Sequence, residues 1–115
     1  MSKLSAAVQS DIPPGTLYML ILKTLVRCGP THGFGIAQFI ANTTDGVFQI
    51  EEGTLYPALQ RMWVKGWVTA KWRVTENNRR ARYYTLTAEG RKQLRSEVSE
   101  FQRVMEAVNR VIQPA

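Results

Sequence analysis

The sequence predicts an α+β fold, mostly helical: three helices, a two-stranded hairpin, then one long helix. Three observations carry that expectation. Apolar residues recur at helical spacing in three separate stretches ahead of Gly66. Two stretches of alternating pattern, about Trp67 to Val74 and Ala81 to Thr87, flank a polar link and read as paired strands. Beyond them Leu94, Val98, Phe101, Met105, Val108 and Ile112 step by 4, 3, 4, 3 and 4 residues, the spacing of a heptad seam.

A chain of 115 residues fits one small domain. The expected division is an N-terminal arm over 1–12, a three-helix and hairpin domain over 13–87, and a C-terminal helix over 88–115. Met1 to Asp11 is polar and small, so the arm is expected to be frayed or loosely docked. Pro13-Pro14-Gly15 precedes the first helix, roughly Thr16 to Arg27, whose apolar face is Leu17, Leu20, Ile21, Leu25 and Cys28. Gly29-Pro30 ends it. A second helix is expected from Phe34 to Asn42, followed by a turn at Thr43-Thr44-Asp45-Gly46. Val47 to Ile50 reads as a brief strand or an extended link.

The third helix is expected over Thr54 to Lys65, with Leu55, Leu59 and Met62 facing the core. Pro57 then falls in the first turn, where a missing N–H costs nothing. Gly66 stops the helix. In the hairpin, Val68, Ala70, Trp72 and Val74 share one face, and Tyr84 is expected inward rather than Tyr83. The link Thr75 to Arg80 is polar and rich in turn formers. Thr87 is the expected N-cap of the last helix, with Glu89 at its positive end. That helix is long for the domain and carries more apolar surface than three short helices cover. An intersubunit contact is therefore expected at the seam, against the alternative of packing within one domain.

The charge is placed unevenly. Between Arg61 and Arg95 ten bases face two acids, a local net of +8 against +6 for the whole chain. Such a block calls for a polyanionic partner. An enzyme is not expected: one histidine, one cysteine and no spaced metal ligands leave no nucleophile–base pair, metal site or cofactor site in view. Cys28 has no partner for an internal disulfide and reads as a small buried hydrophobe, with a redox switch as the alternative. Leu17 to Val26 is broken by Lys23 and is too short to span a bilayer, and the first residues lack the order of a signal peptide. A cytoplasmic protein without a membrane partner is expected.

Three helices followed by a hairpin is the order of a winged helix-turn-helix, whose third helix enters the major groove of double-stranded DNA. Outward residues of the third helix then become candidates: Thr54 and Lys65 for phosphate, Gln60 for a base edge, and Arg61 as a DNA contact. Tyr56 reads equally as intramolecular packing or as a DNA contact. Arg79, Arg80 and Arg82 are the backbone-contact candidates of the wing. His32 reads as structural. Two other readings stay open. Trp63, Trp67, Trp72, Tyr83 and Tyr84, interleaved with cations, suit stacking of single-stranded bases. A dimeric protein-binding adaptor suits the seam.

Three segments carry a resemblance. They are Gly29-Pro30-Thr31-His32-Gly33-Phe34, Glu52-Gly53-Thr54-Leu55-Tyr56-Pro57-Ala58-Leu59, and Arg79-Arg80-Ala81-Arg82-Tyr83-Tyr84-Thr85-Leu86-Thr87-Ala88-Glu89-Gly90. Together they resemble the PadR family of bacterial transcriptional regulators, over roughly Thr16 to Leu94. The resemblance implies a winged-helix homodimer, usually a repressor, joined through its C-terminal helix with help from the N-terminal one, on an inverted-repeat operator. It also implies a small hydrophobic or aromatic effector, for which Phe101 and Met105 are candidate lining residues or plain interface. Two departures stand out. Phe34-Gly35 replaces a tyrosine and an acid, and Met62-Trp63-Val64 replaces a more usual leucine-acid-polar stretch.

Overall fold

The computed structural model describes residue 12 and residues 15–114. The expected N-terminal arm therefore lies outside the described residues, apart from Ile12. The elements run α1 (Thr16–Cys28), β1 (Thr31–His32), α2 (Gly33–Thr43), α3 (Glu52–Val64), β2 (Val68–Val74), β3 (Arg80–Leu86) and α4 (Ala88–Ile112). The sheet has the order β1-β3-β2 with both pairings antiparallel.

Each helix contributes one stripe to a shared core. Ile21, Leu22 and Leu25 of α1 meet Ile36 and Ile40 of α2 and Leu55, Ala58, Leu59 and Met62 of α3. Val68 and Tyr84 close the core from the sheet. Tyr84 points inward, as its alternation predicts, while Tyr83 lies on the outer face. Among the described residues, the buried polar side chain Thr24 donates its hydroxyl to the Leu20 carbonyl at 2.8 Å, so its burial leaves the hydroxyl satisfied.

Helix ends follow the chemistry of their residues. α2 closes with two bonds, Gly46 N–H to Ala41 at 2.8 Å and Asp45 N–H to Asn42 at 3.3 Å, with Asp45 in the left-handed region. The same closure ends α3, where Trp67 N–H reaches the Met62 carbonyl at 2.9 Å and Gly66 takes φ 81°. Val47 to Ile50 is an extended link rather than a strand.

Four expectations need correction. A third strand exists: Thr31 and His32 pair with Tyr84 and Tyr83. A two-residue strand shows no alternation to read, and its partner lies far away in sequence. α3 begins at Glu52, so Pro57 sits in the second turn. Its missing N–H leaves the Gly53 carbonyl without the usual donor, a cost the first turn would have hidden. Cys28 is exposed. It lies on the apolar side of α1 but at the last helical residue, and Gly29 turns the chain away there. Leu94 is only 7% exposed and belongs to the core, with Val98 packed against it. The first turns of α4 therefore serve this domain, and the exposed part of the seam begins at Phe101.

The start of α4 is pinned tightly. The Thr87 hydroxyl caps it by accepting the Gly90 N–H at 3.0 Å and itself donates to the Gly66 carbonyl at 2.6 Å. Gly90 lies against the Trp67 carbonyl so closely that a Cβ would collide with it. The sequence Leu86-Thr87-Ala88-Glu89-Gly90 thus fixes the angle at which the long helix leaves the domain.

Candidate nucleic-acid interface

α3 shows an open face to solvent. With Leu55, Ala58, Leu59 and Met62 inward, helical geometry places Gly53, Pro57, Gln60 and Val64 in a row on the opposite side. Gln60 is thus where the sequence reading expects it. Val64 is 78% exposed in the same row. Thr54 is also exposed, but it does not open the helix as expected. Its N–H already bonds the Glu51 carbonyl at 3.0 Å, and Glu51 and Glu52 beside it favour the helix dipole while opposing a phosphate.

Cations and aromatics bracket α3 on both flanks. On the α1 flank, Tyr18 meets Trp67 edge-on at 5.4 Å. Arg61 donates from Nε to the Tyr18 hydroxyl at 2.6 Å, and the Lys65 ammonium lies 5.4 Å from the Trp67 ring centre. Arg61 and Lys65 are therefore drawn toward the body of the domain rather than held in the outward row.

On the wing flank the arrangement is reversed: two tryptophans hold the arginines. The register pairs Trp72 with Arg82 across the hairpin. The Arg82 guanidinium lies 4.9 Å from the Trp63 ring centre and 5.1 Å from that of Trp72. Arg80 lies 5.1 Å from Trp72. Trp63 therefore contacts Arg82 of the wing. On the other face of the wing Arg73 stacks on Tyr83 at 4.5 Å, and Tyr83 meets His32 edge-on at 5.1 Å.

Tyr56 also faces the wing. It is 44% exposed, and its ring lies against Gly33, where any Cβ would clash. Burial raises its hydroxyl pKa above the ordinary value, with Glu52 and Tyr84 adding to the effect. Tyr56, Phe34, Trp72, Arg80 and Arg82 line a groove of about 340 Å³ between α3 and the wing. His32 is structural: its Nδ1 accepts the Gly35 N–H at 3.0 Å and caps α2.

The wing tip is a short closed turn. Asn78 N–H bonds the Thr75 carbonyl at 2.9 Å, Thr75 N–H bonds the Arg79 carbonyl at 2.6 Å, and Asn78 takes φ 62°. This is the turn-plus-bulge geometry of a three-residue hairpin loop, with asparagine at the left-handed position. Arg79 is exposed at the tip.

The family model of the transcriptional regulator PadR-like family matches residues 21–96. The chain belongs to this family. As a PadR-like protein it is a transcriptional regulator, a class that works on DNA and is not enzymatic. It is 33% identical over 102 residues to an uncharacterised protein of Lysinibacillus sphaericus, covering 89% of this chain and 93% of that one. A solved transcriptional regulator from Clostridium thermocellum is similar at 28% identity with a TM-score of 0.78, over 86% of this chain and 95% of that one. A PadR family transcription regulator from Clostridium difficile is similar at 25% identity with a TM-score of 0.72, over 84% and 98%. Among the described residues of this PadR-like chain, no helix is long and apolar enough to cross a membrane, and no cluster of His, Cys, Asp and Glu could hold a metal.

Of the candidate DNA contacts, the fold brings Tyr56, Arg80 and Arg82 to one groove. It keeps Gln60 on the outward row and Arg79 at the tip, and it moves Arg61 and Lys65 to the opposite flank. Sequence reasoning missed Val64, whose exposure follows from its helical phase with Gln60. It also missed the joint role of Trp63 and Trp72, for which the departure at Met62-Trp63-Val64 was the available signal.

Proposed function

We propose that this PadR-like regulator acts as a homodimer that represses transcription from an inverted-repeat operator on double-stranded DNA. The observation that carries the reading is the unfinished stripe of α4. Phe101 is 40% exposed and Met105 38%, with Val108, Val111 and Ile112 exposed beyond them. A second copy of the same stripe is the natural cover for a heptad seam. Two-fold pairing then presents two α3 helices and two wings to one face of a duplex.

In each half-site Gln60 reads a base edge from the outward row of α3, with Tyr56 contacting the DNA from the wing side. Arg79 and Arg80 contact the backbone beside it. Arg61, Lys65 and Thr54 take supporting places, at most reaching flanking phosphates. A groove of about 430 Å³ between α1 and α4 is lined by Met19, Phe101, Val104 and Met105. It is where a small hydrophobic or aromatic effector would bear on the dimer. The single-stranded alternative is disfavoured, because Trp63, Trp67, Trp72 and Tyr83 each already carry a cation or another ring.

The test is selection of genomic fragments by the full-length protein at moderate salt, followed by binding of the recovered duplex across a salt series. Binding through phosphate contacts requires log affinity to fall with log salt by about 0.9 per neutralised phosphate. A slope near zero, or preference for the separated strands, overturns the reading.

A further inference from the structure

Arg82 differs from the other wing cations in what surrounds it. Its guanidinium lies over two indoles that belong to different elements, Trp63 at the end of α3 and Trp72 in the middle of β2. Among the described residues the ion pair present is Glu100 with Arg103, on α4, so no carboxylate balances Arg82. Trp72 is shared, because Arg80 lies 5.1 Å from it as well. Arg79, by contrast, stands at the tip with its backbone bonded into the turn and its side chain exposed.

We propose that Arg82 is a positioning residue of the DNA interface: stacked over Trp63 and Trp72, it ties the wing to the reading helix instead of neutralising a phosphate. The inference rests on the DNA-binding reading above and adds a division of labour within the wing. A planar guanidinium can stack on two rings at once, which an ammonium does poorly. The stack crosses from helix to hairpin, so it fixes the angle between the element that reads bases and the element that grips backbone. That angle decides whether both engage one duplex together. The core contacts of Val68 and Tyr84 and the turn at Gly66 hold the base and middle of the hairpin to the domain, and the stack adds a tie on the face of Trp72 and Arg82.

Phosphate contact and positioning leave different traces in the salt dependence. Binding of the recovered duplex is measured from low to moderate salt for the wild type, Arg79→Gln, Arg82→Gln, Arg82→Lys and Trp72→Leu. Arg79→Gln is expected to flatten the slope by about 0.9. Arg82→Gln is expected to lower affinity about tenfold at every salt concentration with the slope unchanged, from two weak cation–π contacts at exposed sites. Arg82→Lys, which keeps the charge, is expected not to restore affinity. Trp72→Leu keeps every charge and is expected to repeat the Arg82→Gln loss, with the double variant losing less than the sum of the two.

A slope flattened by about 0.9 in Arg82→Gln overturns the proposal, as does full affinity in Arg82→Lys or unchanged affinity in Trp72→Leu. Trp72→Leu decides the matter even if Arg82→Gln folds poorly, because it leaves the guanidinium in place. A wild-type slope near zero defeats the DNA-binding reading and this inference together. A steep wild-type slope with a phosphate-like Arg82 defeats this inference alone.

Discussion

α3 and the distal half of α4 are both amphipathic helices, yet they use their exposed faces in opposite ways. α3 buries Leu55, Ala58, Leu59 and Met62 in its own domain and turns outward a row of small side chains and Gln60, flanked by Thr54, Arg61 and Lys65, with Val64 its one large apolar member. α4 buries Gly90 and Leu94 in its own domain, then carries an apolar stripe into solvent from Phe101 onward. The first kind of face costs little in water, whereas an uncovered apolar stripe forgoes stabilisation of about 25 cal/mol for each Å² left wet. α3 is therefore complete within one chain and free to meet a ligand. α4 leaves a stripe that the proposed second copy would cover.

The largest effect that can break this contrast is a charge in the stripe. Phe101→Glu is expected to convert the dimer to monomer at micromolar concentration, measured by sedimentation, because an unpaired charge at a packed interface costs several kcal/mol (roughly 2–5). A dimer that survives intact would mean that the stripe packs elsewhere. Leu94→Ala sharpens the same contrast from the other side. Leu94 is a core residue, so its truncation is expected to cost about 2–5 kcal/mol of fold stability in chemical denaturation, whatever the oligomeric state. Phe101→Ala is expected to weaken association instead, with the monomer fold retained.

Much of that contrast is legible in the sequence. The heptad spacing, the helical phase of α3 and the cap at Thr87 are local patterns, and each lies where its residues place it. The boundary within the seam is not legible. Leu94 and Phe101 occupy equivalent heptad positions, and only the packing of α4 on α1 and the hairpin separates a core residue from an exposed one. Nor could β1 or the partner of Trp63 be read, since Thr31–Tyr84 and Trp63–Arg82 are tertiary contacts; the departure at Met62-Trp63-Val64 marks Trp63 as unusual without naming Arg82. Pro57 was misplaced because Glu52 and Gly53 form the first turn despite poor helix propensity at glycine, with acids at Glu51 and Glu52 suiting the positive end of the helix.

Two smaller effects complete the series. Gly90→Ala forces a methyl onto the Trp67 carbonyl, and overpacking of that kind typically costs about 1–3 kcal/mol, readable in a thermal melt. A melt unchanged from wild type would show that the α3-to-α4 junction is looser than its geometry implies. Smallest of all is Glu100→Gln. Its carboxyl pKa is lowered by the hydrogen bond and charge of Arg103, at 2.7 Å, but both side chains are open to water. The sign is that of an acid favoured in its ionised form, so any stabilisation is present at neutral pH and lost as pH falls through the carboxylate range. The expected difference in a melt at neutral pH is undetectable. A clear loss would place this pair inside the dimer contact.

The most direct measurement is a hydroxyl-radical footprint of the full-length protein on its selected duplex. The expected result is a two-fold symmetric pattern, with protected half-sites centred about one helical turn, ~34 Å, apart and on one face of the DNA. A single unsymmetric protected patch, saturating with one copy of the chain, would contradict the pairing of two reading helices through α4.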